Sequence, residues 1–159
     1  MKVKPSNTYK LMYFIISTVF LIAFDVYFSG YLSKISSLSQ IKFIPGMTLH
    51  YMENTGAAFS ILQNAVTFLI VFAIVAIILI FWYLIKNLKD LSMIDLFFAS
   101  MLTAGISCNL YERVILGFVR DYFCIKCVNF PVFNVSDTFI NISVVVIMYL
   151  LITKNYSKK

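Results

Sequence analysis

Two aspartates in the second half of the chain have the clearest potential for chemistry. The sequence contains only seven acidic residues, among them Asp121 and Asp137, and the segment between these two is long enough to fold back on itself. Two carboxyl groups held close together do not both ionise readily, so one of them keeps a proton. The ionised group can then activate water while the protonated group donates to a carbonyl or a leaving amine. Such a pair could hydrolyse an amide without a metal ion, serine or histidine.

The same residues also allow a purely structural interpretation. Asn134 and Asp137 have the spacing of a helix start, with Asn134 as the N-cap and an acidic residue in the first turn. Asp121 directly follows Arg120 and lies close in sequence to Arg113, so it could be only an ion-pair partner. On spacing alone, both interpretations stay open.

Four further polar residues lie in or beside apolar segments. Asn54 and Asn109 need hydrogen-bond partners if they are buried, so they could hold a peptide backbone or simply fix loops. The planar fork of Arg113 could bind substrate carbonyls or anchor the chain at the membrane interface. Asp25 lies within an apolar stretch, and we favour a buried carboxylate that accepts hydrogen bonds from backbone groups of an outer segment.

Metal and redox chemistry have little support in the sequence. Cys124 and Cys127 have the spacing of a redox or metal motif, but no second pair of ligands accompanies them, so a local disulfide or incidental cysteines fit better. His50 has no cysteine close in sequence, and no Gly-rich phosphate loop is present. We therefore expect neither a metal nor a cofactor.

The composition indicates that these residues are positioned by membrane helices. Hydrophobic residues make up 61% of the 159 residues and charged residues 13%, whereas a soluble domain carries about 25% charged residues. Four apolar stretches are each roughly 18–21 residues long, enough to cross a hydrocarbon core of about 30 Å. The sequence predicts a single all-α membrane domain over residues 1–159 with spans at 11–31, 65–85, 91–108 and 135–153.

The distribution of lysine predicts the orientation of these spans. Eight lysines fall in the two tails and in the loop between the second and third spans: Lys2, Lys4, Lys10, Lys86, Lys89, Lys154, Lys158 and Lys159. Basic residues favour the cytoplasmic side, so both termini are expected inside and the two aspartates at the outer face. The net charge of +6 then reflects orientation and contact with anionic membrane lipids rather than nucleic-acid binding.

The two outer segments are expected to contain most of the remaining structure. The alternation of residue types over 47–51 predicts a short strand at the interface, within a small β-like segment near residues 43–60 that could support a substrate. The second outer segment, residues 109–134, is expected to form a loop that acts as a lid.

Four blocks of this sequence resemble the motifs of one known family. In chain order they are Asn54-Thr55-Gly56-Ala57-Ala58-Phe59-Ser60, Asn109-Leu110-Tyr111-Glu112-Arg113, Gly117-Phe118-Val119-Arg120-Asp121-Tyr122 and Phe133-Asn134-Val135-Ser136-Asp137. Together they are similar to the lipoprotein signal peptidases, also called signal peptidase II. One block alone would be weak, but four blocks in family order with four spans are specific.

The resemblance implies an aspartyl endopeptidase of the bacterial cytoplasmic membrane. Such an enzyme removes signal peptides from lipid-modified prolipoproteins by cleaving before the diacylglyceryl-cysteine, with no cofactor. By motif position, Asp121 and Asp137 correspond to the catalytic pair. The residues that correspond to substrate-binding or supporting positions are Asn54, Asn109, Arg113, Asn134 and Asp25. The expected partners are a prolipoprotein substrate and membrane lipids, and we expect a monomer.

The sequence departs from the usual family pattern at four positions: Ser29, Cys108, Glu112 and Arg120. The family commonly has lysine, glycine, aspartate and an apolar residue there, respectively. Two alternatives to a peptidase therefore stay open. A transporter using acidic groups as a proton relay would need them at different depths, whereas here most gather at one face. A non-catalytic assembly partner would have lost the chemistry through the four departures.

Overall fold

Four long helices and a small antiparallel sheet make up the fold. The computed structural model of the protein describes residues 5–36, 41–57, 61–125 and 130–156. The elements in chain order are α1 (Asn7–Ser36), β1 (Ile41–Ile44), β2 (Met47–Asn54), α2 (Val66–Asn87), α3 (Met93–Leu116), β3 (Val119–Ile125) and α4 (Val135–Tyr156). All four helices are long and apolar enough to cross a membrane. The predicted four-helix membrane fold with a β-like outer segment is thus confirmed.

Helix α3 occupies the centre of the bundle and packs against α1, α2 and α4. It begins with a reciprocal capping box, because the Ser92 hydroxyl accepts from the backbone of Asp95 at 3.2 Å while the Asp95 carboxylate accepts from the backbone of Ser92 at 2.7 Å. It ends at Gly117, whose φ of 83° is the left-handed conformation that glycine adopts readily at a helix C-terminus.

The third span is longer than the sequence predicted. Its predicted end was Cys108, but α3 continues to Leu116, so Asn109 and Arg113 lie on a helix rather than in an outer loop. The polar residues beyond Cys108 lower the hydropathy of the segment without breaking a helix, and the first strong stop signal is Gly117. One face of this longer α3 lies directly beside the start of α4.

Helix α1 buries a single narrow stripe with a spacing of three or four residues. The buried positions are Lys10, Phe14, Thr18, Leu21, Asp25, Ser29, Leu32 and Ser33. More than half of them are polar, whereas large apolar side chains such as Phe20 and Tyr27 are exposed on the other faces. This inverted pattern suits a helix surrounded by lipid, and it directs polar groups toward the neighbouring helices.

The N-terminal end of α1 contacts the turn between α2 and α3. The buried Lys10 ammonium donates to the backbone carbonyl oxygens of Leu88 and Lys89, each at 2.9 Å. These carbonyls follow the last turn of α2 and lack intrahelical partners, so a cation there is favourable. The contact fixes α1 against the end of α2.

The sheet has the order β1-β2-β3, with antiparallel neighbours. Pro45 and Gly46 form the turn between β1 and β2, and the φ of 82° at Gly46 suits the third position of a type II turn. Asn54 of β2 lies opposite Val119 of β3, while Asp121 is two residues further along β3. Side chains two residues apart on a strand share a face, so Asn54 and Asp121 lie diagonally on one face of the sheet.

The chain segment before α4 runs beside β3. The backbone N–H of Phe123 donates to the carbonyl of Phe133 at 2.8 Å, and the N–H of Phe133 donates back at 3.1 Å. This pairing positions the start of α4 next to Asp121. The loop predicted over residues 109–134 is wrong for most of its length, because the chain there forms the end of α3 and then β3. Residues 126–129 lie outside the described part of the chain, so a lid at that point stays a prediction.

Gly105 allows α3 and α4 to approach closely. A Cβ at this position would lie 2.6 Å from the carbonyl oxygen of Ser136 and 2.9 Å from Cγ1 of Ile140. Small residues at such contacts let membrane helices pack backbone against backbone. The position of Asp137, next to Ser136, therefore depends on this contact.

We predict that Gly105→Ala lowers the free energy of unfolding by about 1–3 kcal/mol, because the added methyl group must displace the α4 backbone. Gly30→Ala is the matched control, since a Cβ there meets nothing within 4 Å. Thermal unfolding in lipid vesicles, followed by circular dichroism, measures both. Equal melting temperatures for the two variants would contradict the account of the α3–α4 contact.

Candidate active site

Asp121 and Asp137 line the same cavity, which has a volume of about 780 Å³. Asp121 lies on β3 and Asp137 in the first turn of α4, and Asp121 is only 1% exposed. The predicted meeting of the two acids is what the structure shows. The cavity wall also includes apolar side chains such as Phe130 and Ile140, so the acids lie at the boundary between polar and apolar surfaces.

Two asparagine amides hold the carboxyl group of Asp121. Asn54 donates from Nδ2 to one carboxyl oxygen at 2.9 Å, and Asn134 donates from Nδ2 to the other at 2.9 Å. A carboxyl group with both oxygens engaged has a fixed orientation. The carboxyl group therefore faces the cavity in one defined direction.

Asp137 is held in a similar way from two sides. Asn109 donates from Nδ2 to one carboxyl oxygen at 2.8 Å, and the backbone N–H of Asn134 donates to the other at 3.3 Å. The Asn134 side chain in turn accepts from the backbone of Asp137 at 2.8 Å, which completes a helix capping box. The helix-cap interpretation of these residues is therefore correct, and it does not exclude a role in chemistry.

Arg113 fixes the segment that follows Asn54 and β2. Its Nη2 donates to the carbonyl oxygen of Gly56 at 2.8 Å, and the backbone N–H of Gly56 donates to Oδ1 of Asn54 at 2.9 Å. Gly56 has no room for a side chain, because a Cβ would lie 2.8 Å from the carbonyl oxygen of Ile61. The carbonyls that Arg113 contacts here belong to its own chain, and its predicted binding of substrate carbonyls stays a prediction.

The environment of Asp121 favours its protonated form. Burial and the neighbouring charge of Asp137 raise the pKa of Asp121 to about 7, although the amides of Asn54 and Asn134 and the charge of Arg113 act in the opposite direction. Near neutral pH, Asp121 therefore retains a proton far more readily than an ordinary aspartate does. A pair that shares one proton can supply both an acid and a base.

Glu112 and Arg120, two of the departures from the family pattern, bind each other. Arg120 donates from Nε and Nη2 to Glu112 Oε1 at 2.9 and 2.6 Å, and its backbone N–H donates to Oε2 at 2.7 Å. The possible ion pair between Arg120 and Asp121 is thus wrong, because the guanidinium is directed to Glu112. This contact holds the backbone immediately before Asp121 against the last turns of α3.

Behind the cavity, a buried cluster connects α1, β3 and α4. The Ser136 hydroxyl donates to Asp25 at 3.0 Å, so the partner of Asp25 is a side chain of α4 rather than the predicted backbone groups. Tyr122 is fully buried, and its hydroxyl accepts from the backbone N–H of Val135 at 3.1 Å and bonds to Ser29 at 2.8 Å. No role was predicted for Tyr122 from the sequence, although it directly follows Asp121.

Cys108 is buried and its thiol contacts Asp25 and Ser136, so it belongs to this cluster. Cys124 is partly buried and forms no disulfide within the described part of the chain. Cys127 lies outside the described residues, so the suggested disulfide with Cys124 stays untested. Within the described part of the chain, no group of three or more His, Cys, Asp or Glu residues could hold a metal ion.

Comparisons with known proteins agree with the motifs. The family described as Signal peptidase (SPase) II matches residues 17–153. Proteins named lipoprotein signal peptidase are similar to this chain along most of their length. One from Enterococcus faecalis is 35% identical, and the match covers 94% of this chain and 93% of that protein. One from Caldanaerobacter subterraneus subsp. tengcongensis is 41% identical, and the match covers 86% of this chain and 91% of that protein. A bacterial membrane enzyme solved by the in meso method at 2.3 Å resolution has a TM-score of 0.82 at 27% identity, covering 92% of this chain and 91% of that one.

We predict that Asp137→Asn lowers the pKa of Asp121 below its value of about 7, because the variant removes the neighbouring negative charge. Infrared difference spectra of the protein in lipid vesicles, recorded across a pH series, follow the carbonyl stretch of protonated carboxyl groups. The wild type should lose one such band as the pH rises through about 7, and Asp137→Asn should lose it at a lower pH.

Asp121→Asn assigns the band, since it should disappear in that variant. A wild-type Asp121 that titrates at its ordinary pKa, or a midpoint that does not move in Asp137→Asn, would contradict the proximity of the two groups.

Proposed function

The chain belongs to the signal peptidase II family, and we propose that Asp121 and Asp137 form its catalytic pair. It is a multi-pass membrane peptidase that removes signal peptides from prolipoproteins. The proposal concerns how it does so. The observation that carries it is the bridge between the two acids, in which Asn134 donates from its side chain to Asp121 and from its backbone to Asp137.

Hydrolysis in this site begins with a water molecule between the two carboxyl groups. The ionised aspartate accepts a proton from the water as its oxygen attacks the carbonyl carbon of the scissile bond. The protonated aspartate donates to the carbonyl oxygen, which gives a tetrahedral intermediate with two hydroxyl groups. The C–N bond then breaks as the leaving nitrogen takes the proton that the first aspartate had accepted from water. A hydroxyl group of the intermediate returns its proton to the second aspartate, which leaves a free carboxyl group, a free amine and the starting protonation of the pair.

The asparagines and Arg113 have a positioning role in this scheme. Asn54 and Asn109 each bind one oxygen of one aspartate, so the free edges of the two carboxyl groups keep a fixed separation. Arg113 lies near both acids, and its positive charge lowers the pKa of Asp121. It thereby offsets part of the increase in this pKa that burial causes. Asp25 acts further away, through Ser136, by holding the first turn of α4.

The substrate side of the cavity suits a lipid-modified peptide. The acids are reached past apolar residues of the segment before α4, including Phe130 and Pro131, and past Ile140 of α4. A peptide that carries diacylglyceryl on a cysteine can keep its acyl chains in the bilayer while the bond before that cysteine lies at the aspartates. This geometry supports cleavage directly before the diacylglyceryl-cysteine.

We place the protein in the bacterial cytoplasmic membrane with both termini in the cytoplasm. Lys10 at the start of α1 bonds to the turn after α2, so both lie at one end of the bundle, whereas the sheet with Asp121 lies at the other end. The site then lies at the outer face, where the signal peptide ends. The asparagines that bind the two aspartates belong to the same chain as the aspartates, so one copy contains the pair and its supports, and we propose a monomer as the active unit.

We predict that Asp121→Asn and Asp137→Asn each lower cleavage of a lipidated prolipoprotein by at least about a thousandfold, since an amide can neither activate water nor donate the required proton. The measurement is the appearance of the smaller product after incubation with purified enzyme in lipid vesicles. Asp90→Asn is the matched control, because Asp90 is exposed in the turn between α2 and α3 and should leave the rate unchanged.

Circular dichroism and the melting temperature establish that the inactive variants are folded. Substantial turnover by either folded Asp121→Asn or folded Asp137→Asn would exclude an aspartyl mechanism.

We also predict that a prolipoprotein whose cysteine is not lipidated is cleaved at least about tenfold more slowly at the same concentration, because it lacks the acyl chains that hold the bond at the depth of the site. Paired reactions with lipidated and unlipidated forms of one substrate provide the measurement. Equal kcat/KM for the two forms would refute the role of the diacylglyceryl group.

A further inference from the structure

Asn141 is a polar residue at an unusual place on α4. It lies four residues after Asp137, within a membrane span that runs from Val135 to Thr153, and its side chain is exposed. Both Asp137 and Asn141 line the cavity that contains the two acids. Residues four apart on a helix lie on the same face, so Asn141 is about 6 Å deeper along the axis than Asp137.

Several polar side chains of the membrane helices bond to the carbonyls of their own helix. Asn87 donates from Nδ2 to the carbonyl of Tyr83 at 2.8 Å, and Thr138 donates to the carbonyl of Asn134 at 3.0 Å. Thr18, in α1, does the same. The side chain of Asn141 makes no hydrogen bond to any residue in the described part of the chain. Its amide is therefore directed into the cavity without a protein partner.

Several neighbours of Asn141 on α4 are apolar, including Ile140 and Ile142, so its amide is a polar group in an otherwise apolar stretch. Transfer of an amide from water to an apolar environment is unfavourable unless a hydrogen bond replaces the lost ones. A lipid-modified peptide that fills the cavity displaces solvent from this amide. A bound peptide group that bonds to Asn141 is therefore favoured over one that does not.

The substrate of the proposed reaction has backbone groups that require hydrogen-bond partners. A peptide bond is accessible to a carboxyl pair only in an extended chain, so the signal peptide must unwind before it reaches Asp121 and Asp137. Unwinding leaves N–H and C=O groups without partners at the depth of the bilayer. A carboxamide carries the same donor and acceptor groups as a peptide unit and can satisfy both.

We propose that Asn141 binds the unwound backbone of the signal peptide on the amino-terminal side of the cleaved bond. An extended chain advances about 3.3 Å per residue, so a displacement of about 6 Å corresponds to a peptide group about two residues before that bond. The contact is to backbone and not to side chains, so it serves signal peptides of different sequence. This inference rests on the proposed function.

The test combines a change in the enzyme with a change in the substrate. Asn141→Leu replaces the amide with an apolar group of similar size, and a lipidated substrate with an ester in place of the amide two residues before the cleaved bond lacks the matching N–H. Each change alone should lower kcat/KM about five- to tenfold, the effect of one lost hydrogen bond. Both changes together should lower it no further than either one.

Asn87→Leu is the matched control, since this asparagine bonds to its own helix away from the cavity and should leave kcat/KM unchanged. Asn141→Thr provides a second variant whose hydroxyl can bond back to its own helix, so it should also lose activity on the amide substrate while it folds normally.

An unchanged kcat/KM for Asn141→Leu, or losses that multiply when both changes are combined, would overturn the assignment of Asn141. Failure of the proposed function has a different signature, because wild-type enzyme would then fail to cleave the unmodified amide substrate or Asp121→Asn would still cleave it.

Discussion

The side chain of Asn134 lies between two carboxyl groups that repel each other when both are charged. It donates to Asp121 at 2.9 Å and accepts from the backbone of Asp137 at 2.8 Å, while its own backbone donates to Asp137. One residue therefore ends the segment beside β3, begins α4 and connects the two acids. The interactions of the cap stabilise the helix start, and the same interactions fix the position of the two carboxyl groups relative to each other.

Two parts of the fold meet at this residue. The sheet supplies Asp121 and, diagonally across its face, Asn54, whereas the helices supply Asn109 and Asp137. The close approach of α3 and α4 at Gly105 brings the helical pair together. Behind them, the hydroxyl of Tyr122 joins β3 to α1 and α4 in a region without bulk water, where unsatisfied polar groups are unfavourable. The site is thus supported by every element except α2 and β1.

Much of this arrangement followed from the sequence, and the exceptions have physical reasons. Hydropathy predicted four spans because lipid-facing helices must be apolar, but it ended α3 too early, since residues such as Asn109 and Arg113 are polar without breaking a helix. Spacing could not decide whether Asp137 belongs to a helix cap or to a pair of acids, because the same hydrogen bonds to Asn134 serve both arrangements. The pairing of Glu112 with Arg120 and the bond between Ser29 and Tyr122 depend on contacts between distant segments, so no local pattern could have predicted them.

The most direct test of a shared proton between Asp121 and Asp137 is the pH dependence of kcat/KM for the wild-type enzyme in lipid vesicles. A pair with one ionised and one protonated member gives a bell-shaped profile, and the pKa of about 7 for Asp121 places the alkaline limb near neutral pH. Activity should fall as the pH rises through this region, because the second carboxyl group loses its proton. A profile that instead rises through neutral pH to an alkaline plateau, as expected for a nucleophile activated by a deprotonated base, would contradict the account.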